Sequence, residues 1–218
     1  MAKRFELIVF DWDGTLMDSA GTIVNSIQSA ALDLGLAPPS DARARHVIGL
    51  GLGEALRYAV PELAEERHEE LADRYRHHYL AQDHELVLFE GAAELVETLG
   101  ASGHMLAIAT GKSRKGLDRA LDASGLRPLF HGTRCADECH SKPHPQMLEE
   151  LMAEFGIAPD ATLMIGDTTH DLLMAQNAGV AGVGVTHGAH TVEALESAGP
   201  LHLADCIEGL RQWLVTNA

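Results

Sequence analysis

Short runs of consecutive apolar residues alternate along the chain with stretches of helical period. Leu7-Ile8-Val9-Phe10, Leu106-Ala107-Ile108-Ala109, Leu163-Met164-Ile165 and Val183-Gly184-Val185 are apolar at successive positions. Such runs predict strands buried on both faces, as in a parallel sheet covered by helices on either side. Residues 131–135 give a weaker fifth strand and residues 201–203 a short edge strand. Helical segments are predicted over 91–99, 116–123, 145–155, 170–178 and 205–215, with Gly156 and Gly179 as stops. Strands alternating with helices in this way predict βαβ crossovers and an α/β fold built on a doubly wound parallel sheet.

One interval breaks the rhythm. Between Met17 and Leu88 only helical periodicity is found, beginning with the apolar stripe Ile23, Ile27, Ala31 and Leu34. A helix over 42–47, the turn Gly49-Leu50-Gly51-Leu52-Gly53 and charged helices through Asp83 follow. The acidic run over 65–70 is a solvated helix face. This predicts a small all-helical domain over 17–88, inserted after the first strand of a core formed by 1–16 and 89–218.

Composition narrows the class. The 218 residues carry 32 Asp+Glu against 16 Lys+Arg, a formal charge of −16. That balance leaves no general basic field for nucleic acid or an anionic membrane surface. With 46% apolar residues the chain can bury a sizeable core. No apolar run approaches the length of a membrane span. The amino terminus passes straight into a strand-like run without a secretory h-region, and three cysteines are too few for a disulfide framework. A soluble, cytoplasmic protein is expected; oligomeric state is left open.

Ligands of an open α/β sheet gather beyond the carboxyl ends of its strands. After the first strand comes Asp11-Trp12-Asp13-Gly14-Thr15, and after the second Thr110-Gly111-Lys112-Ser113. Ser141-Lys142-Pro143 precedes the helix after the weak strand, and Gly166-Asp167-Thr168-Thr169-His170-Asp171 follows the next. Carboxylates converging in one cavity repel unless protonated or bridged by a cation. Oxygen ligands suit a hard ion such as Mg²⁺, with Asp11, Asp167 and the Asp13 carbonyl as its protein ligands. Lys142 adds positive charge, while Thr110 and the Gly111 N–H donate hydrogen bonds. Such a site suits a phosphoryl group and its developing charge. One carboxylate left free to attack gives an aspartyl-phosphate; a second, two residues on, can shuttle the proton.

These residues resemble, in order, the four motifs of the haloacid dehalogenase superfamily: Asp11-Trp12-Asp13-Gly14-Thr15-Leu16, Thr110, Lys142 and Gly166-Asp167-x-x-x-Asp171. The helical insert resembles the small cap of the phosphoglycolate phosphatase-like branch, and the resemblance covers essentially the whole chain. It implies Asp11 as nucleophile, Asp13 as general acid/base, and Thr110 and Lys142 as phosphate-holding groups. It further implies Asp167 as a Mg²⁺ ligand and Asp171 as an outer residue acting through water. Implied too is a Mg²⁺-dependent phosphatase acting on a small-molecule phosphate ester, 2-phosphoglycolate first. Sugar-phosphate phosphatases and mutases share the motifs, a dehalogenase shares the fold without the metal, and a non-catalytic binder is the remote alternative.

Plainer readings stand beside several of these residues. Asp171 is equally placed to complement a helix dipole, and Thr110 to cap a helix. Lys112 and Arg114 are either substrate-binding cations at the cavity rim or exposed helix-start residues. The 49–53 turn, where related caps present specificity residues, bears no basic side chain, which disfavours a second phosphate on the substrate. Cys135, Cys139, His140 and His144 lack the spacing of a zinc framework, and His77, His78 and His84 are read as solvated.

Overall fold

Successive residues of the first strand bury alternate faces, and both faces are covered. In the computed structural model, which describes residues 4–218, strand β1 (Leu7–Phe10) lies at the centre of a six-stranded sheet. Met1, Ala2 and Lys3, part of the amino-terminal reading and of the expected core range, lie outside the described residues. Ile8 and Phe10 enter one apolar cluster, Leu7 and Val9 another. A strand buried on both sides has no polar alternation, which is why it reads as a continuous apolar run.

The other strands are β2 (Met105–Thr110), β3 (Gly132–Cys135), β4 (Thr162–Gly166), β5 (Ala181–Val185) and β6 (His202–Ala204). Their order is β3-β2-β1-β4-β5-β6, all parallel. The helices are α1 (Ala20–Asp33), α2 (Asp41–His46), α3 (Leu52–Ala59), α4 (His68–Gln82), α5 (Ala92–Ala101), α6 (Arg114–Ser124), α7 (Gln146–Phe155), α8 (Thr169–Asn177), α9 (Val192–Ser197) and α10 (Ile207–Asn217). Helices α5 and α10 cover one sheet face through Leu95, Val96, Leu99, Leu210 and Leu214. On the other, α7 and α8 contribute Met147, Leu148, Leu151, Met174 and Ala175. The doubly wound α/β fold is thus observed, with both edge strands in place.

Helices α1–α4 fall between β1 and β2 and bury a separate cluster, in which Ile23, Val24, Ile27 and Ala31 meet Val47, Ile48, Leu56, Leu71 and Tyr79. The chain enters and leaves this insert through two adjacent segments. Asp18 N–H donates to the Val87 carbonyl at 3.0 Å and Phe89 N–H to Leu16 at 2.9 Å.

Three local differences from the sequence reading have simple causes. Gly53 lies inside α3, because the helix begins at Leu52 with Gly51 as its N-cap. Helix α9 was not expected; it buries Leu195 alone, so no apolar stripe marks it. His78, half-buried, also holds Asp33 at 2.8 Å, tying α4 to α1. No helix among the described residues is long and apolar enough to cross a membrane.

Candidate active site

The parallel register brings Asp11, Thr110 and Asp167 to the same end of three neighbouring strands. Beyond Phe10 the chain turns tightly, with Leu16 and Met17 N–H groups both donating to the Trp12 carbonyl. Gly14 sits at φ +80°, and a Cβ there would overlap the Asp167 carboxylate. Only glycine allows both this backbone and that approach. Thr15 Oγ1 donates to Asp167 Oδ1 at 2.7 Å, and Ala189 N–H to Asp167 Oδ2 at 2.7 Å.

Lys142 is fully buried among carboxylates, with Nζ 2.9 Å from Asp11 Oδ1 and 2.6 Å from Asp171 Oδ1. Burial opposes its charge, but Asp11 and Asp171 outweigh that effect and hold its pKa above the usual lysine range. Asp171 Oδ2 accepts from Thr168 N–H (3.1 Å) and Thr168 Oγ1 (2.7 Å), completing a capping box at the start of α8. Both Asp171 oxygens are therefore engaged, one on the lysine and one on the helix.

Asp11 is less satisfied. The Lys142 contact at Oδ1 lacks hydrogen-bond alignment, and Oδ2 has no partner although both oxygens are buried. Burial raises the Asp11 pKa to about 7; Lys142 pulls it down, while Asp171 and Asp13 push it up. Asp167 is raised by burial and by the charges of Asp11 and Asp171. Oxygens of Asp11, Asp167 and Asp171 lie within 4.8 Å of one another. Three carboxylates around one ammonium, with an orphaned buried oxygen, form a donor set that fits a hard divalent cation.

Asp13 points elsewhere. Ser19 Oγ donates to its Oδ1 at 2.7 Å, and Lys112 Nζ reaches both oxygens at 2.9 and 3.1 Å. Lys112 also donates to the Tyr79 hydroxyl at 2.8 Å. It is thus neither a free rim cation nor an exposed helix-start residue, because Asp13 and Tyr79 hold it inward. Arg114 turns away to Glu138 and Thr133. Thr110 is buried and accepts from Lys112 N–H at 3.2 Å.

The chain as a whole is similar to known proteins. A family model of haloacid dehalogenase-like hydrolases matches residues 8–185. The chain belongs to the haloacid dehalogenase-like hydrolases. A probable phosphatase, IndB, of Dickeya dadantii is 39% identical over 91% of this chain and 89% of its own length. A 5'-nucleotidase of Pseudomonas aeruginosa is 34% identical over 99% and 98%. The crystal structure of a predicted phosphoglycolate phosphatase from Haemophilus somnus superposes with a TM-score of 0.85 at 29% identity, covering 97% of this chain and 99% of that one.

In this hydrolase the insert reaches the strand ends through the loop before α3. A Cβ on Gly111 would stand 2.5 Å from the Gly49 and Leu50 carbonyl oxygens, so the two main chains are in direct contact. Gly51 N–H donates to Ser141 Oγ at 2.9 Å. A cleft of about 630 Å³ remains between insert and sheet, with Asp13 and Lys112 in its wall.

Sequence reasoning missed a second junction. His170 Nε2 and His190 Nε2 both meet the His46 carbonyl, at 2.7 and 3.1 Å. Thr169 N–H donates to His190 Nδ1 at 3.0 Å, so Nε2 carries the proton and gives it to His46. The His170 and His190 rings thus clasp the His46 main chain, and ligand atoms of the three rings lie within 4.8 Å of one another. Burial lowers the His170 pKa and takes that of His190 to about 4. No sequence signal could have found it, since its partners lie 124 and 144 residues apart. His187 braces the first loop at the Thr15 carbonyl, 3.2 Å away.

Proposed function

We propose that the protein hydrolyses small-molecule phosphomonoesters through a phosphorylated Asp11. The buried Asp11 carboxylate, with Oδ1 beside Lys142 and Oδ2 meeting no protein donor, carries this reading. One Asp11 oxygen attacks phosphorus and the ester P–O bond breaks. Asp13 delivers a proton to the leaving oxygen, releasing the alcohol. The Asp13 carboxylate then takes a proton from water, whose oxygen attacks phosphorus and frees Asp11 and inorganic phosphate. Lys142, Thr110 and the Gly111 N–H hold the phosphoryl oxygens, and Lys112 with Ser19 orients Asp13. Asp11, Asp167 and the Asp13 carbonyl would hold Mg²⁺, which offsets the charge gathered on the phosphoryl group. Asp171, which meets Lys142 on one oxygen and caps α8 with the other, positions the lysine.

Residues 17–88 act as a cap over this site. The paired segments at Leu16–Asp18 and Val87–Phe89 support those limits, since a narrow two-segment neck lets the insert move as a unit. The substrate is a cytoplasmic metabolite. The phosphoglycolate phosphatase-like neighbour makes 2-phosphoglycolate the first ester to assay. A mutase would pass the phosphoryl group to a second hydroxyl, and product analysis separates phosphate from isomer.

The experiment is phosphate release across a broad ester panel, with Mg²⁺ and with EDTA. Turnover with Mg²⁺, its loss in EDTA and its absence in Asp11→Asn are expected. A folded wild type inert toward every ester would overturn the proposal.

A further inference from the structure

The clasp at the second junction accounts for two of its three histidines. His170 and His190 are held there because they donate to a main-chain oxygen, and the His46 side chain takes no part in either bond. Yet the His46 ring lies on the same spot, 5.4 Å from the His190 ring and parallel to it, and 5.3 Å from the His170 ring at a steep angle. One nitrogen of each ring falls within 4.8 Å of those of the other two. Tyr58, on α3, backs the His46 ring at 4.9 Å. A third imidazole that the clasp does not need makes the junction a ligand set.

Imidazole nitrogen suits a borderline ion such as Zn²⁺, whereas carboxylates suit hard Mg²⁺. Nitrogens bound at about 2.0–2.1 Å around a tetrahedral Zn²⁺ stand about 3.4 Å apart. From a limit of 4.8 Å the rings therefore close by at most about 1.4 Å. His46 is the least buried of the three, which gives an ion a way in. The lone pairs are also within reach. His170 donates from Nε2, so its lone pair lies on Nδ1. His190 has the Thr169 hydroxyl 3.3 Å from Nδ1. Turned from the Thr169 N–H to that hydroxyl, it carries its proton on Nδ1 and frees Nε2, with no proton released. The hydroxyl then serves as the outer partner that orients a ligating histidine.

The ligands come from both parts of the chain. His46 ends α2 of the insert, His170 lies in the first turn of α8, and His190 follows β5. We infer that His46, His170 and His190 form a Zn²⁺-binding site that clamps the insert onto the sheet core. The site shares no residue with the group Asp11, Asp167 and Asp171, and it stands independently of the phosphatase reading.

The test is calorimetric titration of Zn²⁺ into the protein with excess Mg²⁺ present to occupy the carboxylates. Wild type is expected to bind one Zn²⁺ per chain at this site. His46→Phe keeps the main-chain acceptor and a stacked ring but has no ligating nitrogen, and should bind about 100-fold more weakly. Thr169→Val, which lacks only the outer hydroxyl, should bind about 10-fold more weakly. Circular dichroism of both metal-free variants should match wild type. Proteolysis within 49–53, just beyond His46, should slow on adding Zn²⁺ to wild type and not on adding it to His46→Phe. Equal Zn²⁺ affinity in wild type and both variants would put the ion on other ligands, and absence of binding in wild type would leave the trio as ring packing alone. Either result overturns the inference.

Discussion

Lys142 meets two carboxylates at once and has no contact with water, so its removal leaves buried negative charge without a counterion. Lys142→Met is expected to cost about 3–5 kcal/mol of folding stability, read by urea denaturation of the metal-free protein. Asp11 presents the opposite case. Its charge is held at a cost, with burial the chief cause of the raised pKa. Asp11→Asn should lower phosphate release by about 10⁴-fold or more, yet the metal-free variant should melt no lower than wild type. A lower melting temperature would mean that Asp11 stabilises the fold rather than burdening it. Asp11, Asp13, Thr110, Lys142, Asp167 and Asp171 were all readable because each follows a strand end or precedes the next helix. The environment of Lys112 was not, because Tyr79 and Asp13 come from segments 33 and 99 residues away. The same holds for Ser19, which resembles any helix N-cap until its hydroxyl is seen on Asp13.

At the scale of elements, the sharpest contact joins two loops. Gly111 faces the Gly49 and Leu50 carbonyls, and neither side offers a flexible side chain that could yield. Gly111→Ala is therefore expected to lift the insert loop. KM should rise about 10-fold, and limited proteolysis should cut within 49–53 faster than in wild type, with secondary structure by circular dichroism unchanged. Unaltered proteolysis would show that the loop does not depend on this approach. The strands were legible because burial on both faces writes an unbroken apolar run, as in Leu7–Phe10. Helix ends were less so: α10 begins at Ile207, where the Cys206 side chain accepts from Gly209 N–H, a weak cap that carries little sequence signal. Contacts between insert and sheet left no trace at all, since a period reports which face is buried but not against what.

For the whole molecule, the site couples to global stability through protons. Asp11 has an ordinary carboxyl value when unfolded and about 7 when folded, so between these values the folded state binds the extra proton. Stability from this group is present at low pH and falls as pH rises toward and through 7. Asp167, raised for the same reason, adds in the same direction. Relative to Asp11→Asn, metal-free wild type should thus lose on the order of 3 °C of melting temperature between pH 6 and pH 8, the opposing gain from His170, His187 and His190 being common to both proteins. Mg²⁺ should restore most of the difference, because the ion takes the place of the proton. Differential scanning calorimetry of both proteins at both pH values, with and without Mg²⁺, checks this; a metal-free difference between them that does not change with pH would remove Asp11 as its source.

The His46 clasp has its own consequence at this scale. Its acceptor is a main-chain oxygen at the last residue of α2, left free because a helix end has no further turn to bond it. Any residue at position 46 would supply that oxygen, although the His46 ring also packs on His170 and His190. The junction is sensitive to length as well. Deleting one residue within α2 would rotate its end by about 100° and carry the oxygen out of reach of both imidazoles. At this junction the docking of the insert is therefore encoded in a residue count as well as in residue types.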